Sequence, residues 1–74
     1  MKSNRTYYTL AIKIAGEWTP EFGDYDREVV EDEMAYYGNE YKQREMKIVA
    51  TSDEQQDIES TIDSLNTNPA NQNN

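Results

Sequence analysis

Residues 6–14, TYYTLAIKI, alternate between two faces. Tyr8, Leu10, Ile12 and Ile14 point one way and Tyr7, Thr9, Ala11 and Lys13 the other. A period of two with aromatic and β-branched residues predicts a strand with one buried face. Ala15-Gly16-Glu17 reads as a tight turn, and Trp18 to Phe22 as a returning strand with Trp18 and Phe22 on one face. Pro20 cannot donate a ladder hydrogen bond, so this strand belongs at a sheet edge. Gly23-Asp24 breaks it, with Asp24 placed to cap a following helix. Val30, Met34 and Tyr37 then recur at helical spacing, and Gly38-Asn39 supplies a stop.

A third strand follows over Tyr41 to Thr51, with Met46, Ile48 and Ala50 on one face. Ser52 and Gln55 stand at capping-box spacing. Ile58, Ile62 and Leu65 form the apolar stripe of a second helix. The order β-β-α-β-α, with a crossover from the second strand to the third, predicts sheet order 2-1-3. The expected fold is a two-layer α+β sandwich. Its three strands are mainly antiparallel and both helices cover one face, leaving Tyr7, Thr9, Ala11 and Lys13 on an open face. Residues 1–66 make one small domain and 67–74, polar and containing Pro69, a disordered tail.

Composition narrows the chemistry. The chain has 74 residues, so its core is thin. It has no Cys and no His, which removes disulfides, thiolate chemistry, ordinary zinc sites and His-based triads. No glycine-rich phosphate loop is present. The N-terminal apolar stretch is short and interrupted by Thr9 and Lys13, so it predicts neither a signal sequence nor a membrane span. A cytoplasmic protein is the expectation.

Carboxylates remain. Net charge is −8, from 15 acidic and 7 basic side chains, which disfavours direct contact with nucleic acid or an anionic membrane. Eight acids fall between Glu17 and Glu33, with Arg27 the one base among them. A pair of opposed catalytic carboxylates needs a cleft that so small a domain is unsuited to build. Asp24-Tyr25-Asp26 begins like a calcium loop but lacks its later ligands. The expectation is a non-enzyme with no metal and no cofactor.

Two readings of the acidic run stay open. A helix needs a solvated polar face, and acids suit its N-terminal end. Yet Asp24, Glu28 and Asp32 stack at i, i+4, i+8, where like charges oppose the helix. The second reading is a surface for a basic protein partner, with carboxylates imitating phosphates. Its candidate residues are Glu21, Asp24, Glu28, Glu31, Asp32 and Asp57. Lys42, Arg44 and Lys47 are expected to neutralise nearby helix acids. An alternative is an assembly module that self-associates through its sheet, as a homodimer, with acidity serving solubility.

The strings W-x-x-x-FGDYDREVV-x-x-E and MKIVATSDEQQDIESTIDSLN resemble small, functionally uncharacterised phage and prophage proteins of Gram-negative bacteria. The likeness covers residues 6–66 and carries no catalytic or binding residue across. It implies a context: an accessory protein in the bacterial cytoplasm that binds and inhibits or redirects a host protein, of the anti-restriction or anti-CRISPR type.

Overall fold

The computed structural model describes residues 5–67. The elements are β1 (Thr6–Ile14), β2 (Glu17–Asp24), α1 (Arg27–Tyr37), a 3-10 turn (Gln43–Glu45), β3 (Met46–Ser52) and α2 (Gln55–Thr67). The sheet order is β2-β1-β3, and both pairings are antiparallel. This is the small α+β fold and strand order that the sequence predicts.

β1 is central because it is the most apolar strand. Leu10, Ala11 and Ile12 are fully buried. The hairpin to β2 turns on Ala15 (φ 55°) and Gly16 (φ 83°). Positive φ at both central residues suits the right-handed twist of the strands, and Ala15 bears the left-handed strain that Gly16 avoids.

β2 carries a bulge. Leu10 faces Phe22 but Ala11 faces Pro20, leaving Glu21 as the extra residue. One inserted residue reverses the pleat, so Phe22 lies with Leu10 and Trp18 lies with Lys13 on the opposite face. The expected common face for Trp18 and Phe22 is therefore corrected. β2 also continues through Gly23 and Asp24. Tyr7 lies so close over Gly23 that an added Cβ would stand 2.5 Å from its hydroxyl oxygen. The missing side chain there is what lets the ring cover the strand.

α1 packs on the face of Leu10 and Ile12. Val30 joins them and Met46 in the core, with Tyr8, Phe22, Met34, Tyr37, Tyr41 and Ile48 around it. α2 does not share that face. Thr9 and Ala11 point away from α1 and are buried nevertheless. A cleft joins Tyr7, Thr9 and Gly23 to Gln55 and Ile58 of α2, and α2 contacts β2 and β3. At its far end the Asn66 amide grips the Trp18 backbone, accepting from its N–H (2.7 Å) and donating to its carbonyl (3.1 Å). The helices flank the sheet on opposite sides, giving three layers. The expected open face is covered, because its small residues let a helix approach and α2 follows β3 on that side.

Other local readings also change. Asp26, not Asp24, caps α1, accepting from the Glu28 N–H (3.0 Å); Asp24 accepts from the Asp26 N–H (2.9 Å). Gly38 stays in the right-handed region, and α1 ends in a further turn in which Tyr41 N–H bonds the Tyr37 carbonyl (3.0 Å). β3 starts at Met46 rather than Tyr41. Ser52 forms no box with Gln55. Its hydroxyl accepts from Glu54 N–H (3.3 Å) and donates to Asp57 (2.7 Å). Thr67 belongs to α2, and the rest of the expected tail, 68–74, lies outside the described residues.

Candidate protein-binding surface

α1 presents its acids outward because Val30, Met34 and Tyr37 take the inward stripe. Glu28, Glu31 and Asp32 are all exposed. Arg27 and Glu31 form an i,i+4 pair at 2.9 Å with both side chains about half exposed, so the pair contributes little to stability. Along the same helix Val29 and Tyr36, seven residues apart, project into solvent at 39% and 69% exposure. Two turns separate them, so they flank Asp32 and Glu33 on one side of α1.

The candidate residues do not form one cluster. Asp24 is half-buried ahead of α1, its carboxylate engaged by the Asp26 N–H. Glu21 sits at the β2 bulge and accepts from the Thr19 hydroxyl (2.8 Å). It is near enough to Tyr37 to raise that phenol, though burial contributes most and Glu33 next. Asp57 lies on α2, across the sheet from α1. The structure therefore groups Glu28, Glu31 and Asp32 on α1, leaves Asp24 just ahead of that helix, sets Glu21 on the edge strand where it also lines the cleft to α2, and places Asp57 on α2.

A groove beside α1 adds what the acidic pattern alone did not indicate. It measures about 400 Å³ and is lined by Met34, Tyr41, Gln43 and Met46, with Glu31 at its rim. Met34 and Met46 read from the sequence as core stripes, which they are on one side. Ala35 and Gly38 complete its lining where the chain leaves α1 and runs through the 3-10 turn to β3. No periodicity signals such a gap.

Lys47, the basic residue of β3, faces away from α1. Lys47 places its ammonium 5.3 Å from the Trp18 ring centroid, and Lys13 lies 5.6 Å from it, both on the α2 side of the sheet. Tyr25 joins the layers at the opposite end, donating to Asp53 (3.1 Å), stacked edge-on with Tyr7 and covered by Arg5. Among the described residues no group of three or more metal-ligating side chains comes together. No helix among them is long and apolar enough to cross a membrane. No family model, curated protein or solved structure matches the chain.

Proposed function

We propose that this protein acts by binding, not catalysis, and that α1 is the surface that meets a basic protein partner. The observation that carries this is the groove with Glu31 at its rim, set against the outward carboxylates of Glu28 and Asp32. A lysine or arginine of the partner can lay its aliphatic stem along Met34 and Met46 and its charged head against Glu31. Methionine side chains adapt to such stems at little cost. Tyr36 supplies the exposed aromatic that interfaces favour as an anchor. Carboxylates one helical turn apart steer a positive surface toward the site.

With the phage-type resemblance, the reading is an accessory protein of the bacterial cytoplasm. It occupies a host protein's nucleic-acid-binding surface and inhibits or redirects it. Neither direct nucleic-acid binding nor a membrane is involved. The test is capture from a bacterial lysate with wild type and with Glu28→Gln/Glu31→Gln/Asp32→Asn, identifying the retained proteins by mass spectrometry. The expected result is a nucleic-acid-processing protein lost from the triple variant, lost at high salt and displaced by added DNA or RNA. A partner retained equally by the variant would overturn the acidic-face reading. Retention in excess nucleic acid would remove the mimicry.

A further inference from the structure

The two edges of the sheet differ. β2 is protected on its outer side: Pro20 offers no N–H and the Glu21 bulge interrupts the repeat. β3 has no such device. Its seven residues, MKIVATS, contain neither proline nor glycine and pair without a bulge to β1 on one side only. Among the described residues no strand lies on its other side.

Charge is distributed unevenly along this part of the chain. Ahead of and within the first half of β3, Lys42, Arg44 and Lys47 outweigh Glu45. Directly after β3 come Asp53, Glu54 and Asp57, with no base before the end of α2. An antiparallel copy of this segment brings each basic block beside the other's acidic block. The edge is thus complementary to itself, although the molecule as a whole carries −8.

From these observations we propose that β3 pairs with β3 of a second copy of this chain, forming a two-fold symmetric dimer with a continuous six-stranded sheet. The symmetry axis runs perpendicular to the sheet, so residues opposite each other must share a face. Centring the pairing on Val49 uses all of β3. Met46 then faces Ser52 of the second copy, Lys47 faces Thr51, and Ile48 faces Ala50. The α1 helices lie on one face of the joint sheet and the α2 helices on the other. Both outer edges are then the protected β2 strands, which stops growth at two copies. The acidic face of α1 stays exposed, so the dimer presents it twice.

Sedimentation equilibrium from micromolar to millimolar protein tests this with two substitutions at one position. Thr51→Glu sets a carboxylate, and Thr51→Lys an ammonium, at the position opposite Lys47 of the second copy. Two such pairs form per dimer, so each change moves Kd by roughly two- to thirty-fold. The glutamate variant should bind more tightly and the lysine variant more weakly. Net-charge repulsion predicts the reverse order, because Thr51→Glu makes the chain more negative and Thr51→Lys less so. Matching thermal melts control for folding. Amide exchange on wild type, at low and high concentration, should show added protection confined to β3. A wild-type monomer throughout, a dimer indifferent to residue 51, or the reversed order overturns the proposal.

Discussion

The two faces of the sheet hold their helices by different means. Toward α1 the contact is a hydrocarbon core: Leu10, Ile12 and Val30 have no exposed surface and Met46 is nearly as deep. Toward α2 the buried floor is Ala11 and Thr9, and Ile62 is the one buried residue of the helix. Ile58 and Leu65 remain half-exposed. Thr9 keeps its hydroxyl without a hydrogen-bond partner among the described protein groups. What α2 lacks in apolar area it recovers at its ends, through Asn66 on Trp18 and through Asp53 on Tyr25 beside its first turn. Two helices of similar length on one sheet can thus be attached by a core on one side and by terminal clasps on the other.

The largest test of this contrast is a pair of core truncations. Leu10→Ala removes a side chain enclosed on all sides and should cost about 4 kcal/mol, in the upper part of the range for such changes. Ile62→Ala should cost about 2–3 kcal/mol, because a helix held chiefly at its ends can settle toward the smaller residue. Denaturant unfolding of both variants gives the comparison. Equal costs would mean that α2 is held by a core as tight as that of α1.

A second test addresses the clasp. Asn66→Ala removes two bonds to the Trp18 backbone and leaves its N–H and carbonyl without those partners. The expected loss is about 1–2 kcal/mol. Hydrogen exchange should accelerate in α2 while the amides of α1 and the central strand keep their protection, since local opening follows local contacts. Uniform acceleration would show that the two layers unfold as one unit.

The α1 side was legible in the sequence because its signals are apolar and periodic. Tyr8, Leu10 and Ile12 alternate, Val30 and Met34 follow the helical period, and the crossover rule orders the strands. The α2 side was not. Thr9 and Ala11 look like solvent-facing positions, and burial of small residues leaves no mark in a hydrophobic pattern. The bulge at Glu21 was equally hidden. Trp18 and Phe22 sit four apart, which implies one face until an inserted residue reverses it. The acidic ridge of α1 follows from spacing alone, whereas Asp57 stands on the helix that the sheet separates from it. The groove needed the loop after Gly38, whose path no periodicity fixes.

The smallest expected effect separates the layers through two tyrosines. Tyr25 has its ionisation raised above the usual 10.0, first by the hydrogen bond it donates to Asp53. Tyr37 is also raised, first by burial against α1's core and then by Glu33 and Glu21. A phenol whose folded-state value is raised stays protonated after the unfolded chain has begun to ionise. The folded state then holds more protons than the unfolded one, and stability falls as pH rises above about 10. Below that value the contribution is fully present. Ultraviolet titration of the phenolate band should therefore show late-ionising tyrosines in the folded protein. Asp53→Asn removes the charged acceptor and should shift Tyr25 back toward its ordinary value while leaving Tyr37 unmoved, because Tyr37 owes its shift to the other side of the sheet. Loss of both delayed phenols in that variant would mean that the clasp at Asp53 also holds α1. The two attachments would then be one.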